Sequence, residues 1–222
     1  MSARVEMPLF PLSSVVLFPR VQAPLHLFEP RYRQLAQRVL DGGKQIGMVT
    51  VPPQHTDEML GDPPVYPIGC TGLVAHSRRL PDGRFDLILS GMQRLRIVDE
   101  TPRPQDRLFR VAEVELLDDP FPPEEHERVA GLRERIIELV RQLVARSDSE
   151  RSVEITPELF REVDDTSFVN SLCHSLAFSA PEKQGLLEAE TIPTRFDRLE
   201  GLLSFRLAEL ARPGETGSGS LH

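Results

Sequence analysis

Residues 68–98 read IGCTGLVAHSRRLPDGRFDLILSGMQRLRIV, and their pattern decides the fold. Two apolar-rich runs flank Pro81-Asp82-Gly83. An Asp-Gly pair between such runs is a strong hairpin signal, because the turn demands backbone dihedrals that glycine and aspartate tolerate. Phe85, Leu87 and Leu89 alternate with Asp86, Ile88 and Ser90, so one face of the second strand is expected in a core. Gly91 then interrupts, and Leu95 and Ile97 resume the odd positions. A glycine inside a strand marks a bulge or a corner.

Working outward toward the N-terminus, Pro52 to Pro67 holds several prolines and acids and reads as a surface loop. Ile46 to Val51 is a strand. Before it, Tyr32, Leu35, Ala36, Val39 and Leu40 recur at helical spacing, and Asp41-Gly42-Gly43 stops the helix. Pro24 to Phe28 is a strand with proline at its entry. Pro8 to Phe18 reads as two short strands separated by Ser13-Ser14. Toward the C-terminus, Phe109 to Leu117 is the last strand. Short strands with one helix suit a closed or nearly closed sheet.

After Asp118-Asp119-Pro120 the period changes. Val129, Leu132, Ile136, Leu139, Val140, Leu143 and Val144 form one apolar stripe. Glu124, Glu125 and Glu127 stand at its start, where the helix dipole favours anions. Thr156-Pro157 is a helix cap followed by proline, and Ser179-x-x-Glu182 has capping-box form. Phe196, Leu199, Leu203, Leu207 and Leu210 make a final stripe. The expected organisation is a β-rich unit over residues 1–119, a helical bundle over 120–212, and a disordered Gly/Ser tail over 213–222.

The net charge of −8 is unevenly spread. Residues 1–119 carry 14 Lys+Arg against 15 Asp+Glu, and residues 120–222 carry 12 against 19. The acidic second half argues against a broad nucleic-acid or anionic-membrane surface, which needs clustered cations. No run reaches the ~18 apolar residues of a membrane span. The two cysteines, Cys70 and Cys173, lack metal-ligand spacing and are expected to be free. The expected location is the cytoplasm.

Gly42-Gly43-Lys44 lacks the hydroxyl residue of a phosphate loop and ends a helix instead of opening one. No G-x-S-x-G elbow occurs. Cys173-His174 would point ~100° apart on a helix, so the thiol is expected as core packing. The six histidines are scattered. No cofactor, metal or catalytic residue is expected. The candidate binding residues are Arg78, Arg79, Arg94 and Arg96, with Phe121 as an apolar plug between the two halves. Strand alternation places Arg94 and Arg96 on one face, opposite Leu95 and Ile97. The plain reading is a solvated outer face; the functional one is a patch that reads phosphate or carboxylate. Glu29 and Arg31 are expected to hold the strand-to-helix corner.

An ordered series of segments resembles the Lon N-terminal domain family. It runs through Pro8-Leu9-Phe10-Pro11-Leu12, Val15-Val16-Leu17-Phe18-Pro19, Pro24-Leu25-His26-Leu27-Phe28-Glu29-Pro30-Arg31-Tyr32 and Ile46-Gly47-Met48-Val49. It continues with Ile68-Gly69-Cys70-Thr71-Gly72, Ser90-Gly91-Met92-Gln93-Arg94-Leu95-Arg96-Ile97, Phe109 to Val114, and Pro181 to Glu188. The resemblance implies an α+β fold, a PUA-like β pseudo-barrel with one helix followed by a C-terminal α-helical bundle. It also implies a substrate-recognition role. In the proteases an ATPase module and a Ser-Lys protease module follow; this chain ends before either, which implies a stand-alone module. The expectation is a non-enzymatic binder of polypeptide segments or a partner protein, acting in protein quality control or as an adaptor. The rival is an RNA-binding PUA-like protein, in which the four arginines would contact phosphate. The acidic balance and the absence of tryptophan for base stacking count against it.

Overall fold

A computed structural model describes residues 4–146 and 163–211. Strands come first: β1 (Arg4–Leu12), β2 (Gln22–Leu27), helix α1 (Pro30–Leu40), β3 (Gln45–Thr50), β4 (Ile68–Arg79), β5 (Phe85–Glu100) and β6 (Arg110–Leu117). Helices follow: α2 (His126–Arg146), α3 (Asp165–Ser175), α4 (Ala180–Leu187) and α5 (Ile192–Ala211). This is the expected α+β order. The loop read at 52–67 carries a 3-10 turn at Pro53–Glu58. The Thr156-Pro157 cap and the 213–222 tail lie outside the described residues.

The strands run β2-β5-β4-β3-β1-β6, and β5 also pairs with β6. That extra pairing closes β5-β4-β3-β1-β6 into a ring and leaves β2 as an edge strand on the first half of β5. Long β5 can serve both neighbours because β2 meets its residues 85–90 and β6 meets its residues 94–100. β1 is likewise shared: residues 4–9 run antiparallel to β6, and residues 9–12 run parallel to β3. Pro24 sits in β2, where the missing N–H is tolerated at an edge.

Gly91 is where the sheet changes face. Gly72 pairs with Gly91 but Cys70 pairs with Arg94, so Met92 and Gln93 together oppose Thr71 alone. This bulge reverses the parity of β5. Phe85, Leu87 and Leu89 lie in the main core, whereas Leu95 joins a second core with Met7, Leu9, Val49, Ala112 and Val114. The residue now facing the main core is Arg94. The expectation that Leu95 and Ile97 continue the face of Phe85 is therefore corrected. At Gly91 the chain from Phe18 to Val21 runs close alongside: Arg20 N donates to Gly91 O and Gly91 N donates to Val21 O, both at 2.7 Å.

The second expected strand, Val15 to Phe18, does not form. Val16, Leu17 and Phe18 all enter the one main core, whereas successive side chains of a strand point to opposite faces. Helices cover this face. Val129, Leu132, Ile136 and Val140 of α2 pack with Phe196, Leu199 and Leu203 of α5, and the Phe168 and Phe196 rings stack with centroids 5.9 Å apart. The main core draws on strands and helices alike. Ser179 and Glu182 form the expected capping box at α4.

Candidate functional site

Among the described residues, the junction between strands and helices is held by a buried cluster of charged side chains. Arg94 and Arg195 are 3 % and 0 % exposed and share one carboxylate, Asp119. Arg94 Nε donates to Asp119 Oδ1 at 2.5 Å, and its Nη2 donates to the carbonyls of Asp118 and Glu190. Arg195 donates to both Asp119 oxygens, to Asn170 Oδ1 at 2.6 Å, and to the carbonyls of Leu186 and Ala189. Asn170 passes the chain on to Pro19 O, and Gln184 Nε2 donates to Ile68 O. Burial pulls the Arg94 guanidinium below its ordinary value, with Asp119 opposing. One carboxylate between two buried cations leaves a charge that the surrounding carbonyl dipoles absorb.

This corrects the placement of Arg94. Alternation does set it on the face opposite Leu95, but that face is roofed by the α4–α5 segment. Arg96 shares the face beyond the roof; it is about half exposed and pairs with Glu115 at 3.2 Å. The patch uniting Arg94 with Arg96, Arg78 and Arg79 therefore does not assemble. Phe121 is half-buried against the main core, and its ring meets the His126 ring edge-on at 4.3 Å. Next to it, Ile192 N donates to Pro120 O, tying the passage into the helices to the start of α5.

An open surface lies at the other end of β5. The outer face of β2, β5 and β4 forms a shelf of about 380 Å³ lined by Pro24, Leu25, His26, His76, Arg78, Asp86, Leu87 and Ile88. The register explains the grouping: Pro24 lies across from Ile88, His26 from Asp86, His76 from Ile88 and Arg78 from Asp86. Asp86 accepts from Arg78 Nη2 at 2.6 Å and from His26 Nδ1 at 2.7 Å. Those bonds, Arg78 first and His26 second, hold its carboxyl below the usual range. Arg84 Nη1 donates to His26 Nε2 at 3.2 Å, so this ring nitrogen accepts and His26 carries its proton on Nδ1. Phe28, 60 % exposed, stacks on His26 at the strand's end. Arg79 lies away from the shelf, over the Phe85 ring at 5.8 Å. The shelf histidines carried no signal in the sequence, because only the register brings positions 26, 76 and 86 together.

Glu29 and Arg31 pair at the corner before α1 as expected, at 2.9 Å, and Arg31 also donates to the carbonyls of Met59 and Gly61. His174 does not face Cys173; its Nδ1 donates to Val16 O at 3.1 Å, and burial lowers its pKa. Cys70 and Cys173 are free and fully buried, and burial pushes both thiols up to about 12. At pH 8 only on the order of one thiol in ten thousand is then ionised, and none is accessible. A thiol-reactive dye should leave both untouched in the folded protein and label them only in step with urea unfolding. Rapid labelling under native conditions would contradict their burial. Among the described residues no cluster of three His, Cys, Asp or Glu has the makings of a metal site. None of their helices is long and apolar enough to cross a membrane.

Comparison with known proteins gives one consistent answer. The chain is 29 % identical over 208 residues to Lon protease 2 of Desulfotalea psychrophila, covering 92 % of this chain and 26 % of that protein. It is 24 % identical over 208 residues to Lon protease of Escherichia coli K12, covering 91 % of this chain and 25 % of that one. The chain thus spans about a quarter of the length of these curated relatives. Two solved structures share the fold. The crystal structure of a Lon N-terminal domain protein from Xanthomonas campestris superposes with a TM-score of 0.59 at 22 % identity. The N-terminal domain of a Mycobacterium avium complex Lon protease does so with 0.64 at 14 %. Each match covers 90 % of this chain and 98 % of the other. The family model described as the ATP-dependent protease La (LON) substrate-binding domain matches residues 6–204, and the chain therefore belongs to that family.

Proposed function

We propose that this chain is a non-enzymatic recognition module that binds segments of polypeptide on the β2–β5–β4 shelf, as an adaptor in cytoplasmic protein quality control. The observation that carries the reading is the match of residues 6–204 to a substrate-binding domain. The shelf supports it with a small apolar floor (Pro24, Ile88), polar groups at its rim (His26, His76, Arg78, Asp86), and beside it the edge of β2 that pairs with no second strand among the described residues. Extended peptides take main-chain hydrogen bonds from such an edge and seat alternate side chains in adjacent hollows. The RNA reading loses one of its four arginines, because Arg94 is buried and ion-paired.

The test is titration of a fluorescently labelled, permanently unfolded polypeptide. Ile88→Asp puts a charge on the shelf at a half-buried position. It should weaken binding at least about tenfold, roughly 1.4 kcal/mol, while the urea midpoint barely moves. Equal affinity of variant and parent would remove the shelf from the proposal.

A further inference from the structure

We infer that the tip of the β4–β5 hairpin selects among polypeptides, and that the segments it favours carry carboxylates beside their apolar residues. The inference rests on the polypeptide-binding reading above. In a chain of net charge −8, the tip is an exception. Arg78, Arg79 and Arg84 flank the turn and Arg33 of α1 reaches under it, against only Asp82 and Asp86. Arg33 lies so close to Gly83 that a Cβ built there would fall 2.2 Å from its Nη2. Gly83 itself has φ +82°, which glycine adopts without strain.

Two of these cations are held in ion pairs and two are not, although the charge of half-buried Arg33 also acts on Asp82. Arg78 is paired with Asp86 at 2.6 Å and Arg84 with Asp82 at 2.7 Å. Among the described residues, Arg33 and Arg79 form no ion pair and no side-chain hydrogen bond; Arg79 lies only over the Phe85 ring. Two guanidinium forks are therefore left to receive carboxylate oxygens in bidentate fashion. Arg78 and Arg84 border the apolar shelf through Asp86 and His26, and the free pair lies just around the turn. A chain seated on Pro24 and Ile88 would run into net positive charge. Negative side chains there gain attraction, and lysine or arginine there is repelled. Such rim charges decide which partner is chosen more than how tightly an average one is held.

The experiment uses the full chain and three labelled peptides of identical apolar sequence. Four of their positions are all Glu, all Gln or all Lys, and binding is read by fluorescence anisotropy. The Glu peptide should bind at least ~10-fold tighter than the Gln peptide at ~50 mM salt, with the Lys peptide weakest. Most of that preference should vanish at ~500 mM, where exposed charges are screened. Arg79→Glu should erase the preference and leave the Gln peptide's affinity unchanged. Arg33→Gln should reduce the preference in the same way, giving a second readout if one variant folds poorly by circular dichroism. If the Gln peptide binds and the Glu peptide binds no tighter, the inference is overturned while the recognition reading stands. If none of the three binds, that reading falls and takes the inference with it. A single-stranded RNA that displaces the Glu peptide at lower concentration than unlabelled Glu peptide does would assign the arginines to nucleic acid and also overturn it.

Discussion

Asp119→Ala should destabilise the protein by about 3–5 kcal/mol, the cost of leaving a buried charge without its partner. Asp119 is the only carboxylate in contact with either Arg94 or Arg195 among the described residues, and both cations are almost wholly buried. Its removal leaves two guanidinium groups facing each other across carbonyl oxygens alone. Arg94 comes from the β-ring and Arg195 from α5, so the repulsion acts on the joint between strands and helices. Unfolding in urea, followed by circular dichroism, measures the loss. Asp119→Asn keeps the shape and two acceptor or donor positions but drops the charge, and should fall between parent and alanine. A loss below about 1 kcal/mol for alanine would mean that the carbonyls hold both cations unaided and that Asp119 does not secure the junction.

Gly91→Ala is expected to cost about 3 kcal/mol or more, at the upper end for forcing atoms into a packed site. A Cβ at this position would lie 2.0 Å from Phe18 O and 2.9 Å from Phe18 C. Both atoms are backbone, so no side-chain rotation relieves the clash. Any shift of the strand also strains the two 2.7 Å bonds that tie Gly91 to Arg20 and Val21. The contrasting change is Gly131→Ala, in the exposed surface of α2, where a Cβ meets nothing within 4 Å. It should stabilise by roughly 0.5–1 kcal/mol through helix propensity. Thermal and urea midpoints of both variants decide the matter; equal effects of the same sign would refute the claim of close approach.

The arginines show where reading by pattern stops. Period-2 alternation correctly opposes Arg94 to Leu95. It does not report that the bulge has turned that side toward the main core, since one extra residue reverses every position beyond it. Nor does it separate Arg94 from Arg96, two residues apart on one face, one under the helices and one past their edge. Val15 to Phe18 misleads for a related reason. An apolar run looks alike as a strand or as irregular chain held by packing, and here the partners of its backbone come from far away, such as His174 bonding Val16 O.

Local pattern alone was enough for the turn at Asp82-Gly83, the helix after Pro30, the change of period after Pro120 and the capping box at Ser179, because each depends on neighbours within a few residues. The ordered motifs likewise carried the family. Tertiary structure alone decided the closing of the ring through β5 and β6, the burial of Arg94 and Arg195 around Asp119, and the meeting of His26, His76 and Asp86 on one shelf. Those contacts join residues 10 to more than 75 positions apart in the chain, as from Asp119 to Arg195, |i−j| = 76. Their energies depend on which face is covered and which is wet, and that is settled only when the whole chain has packed.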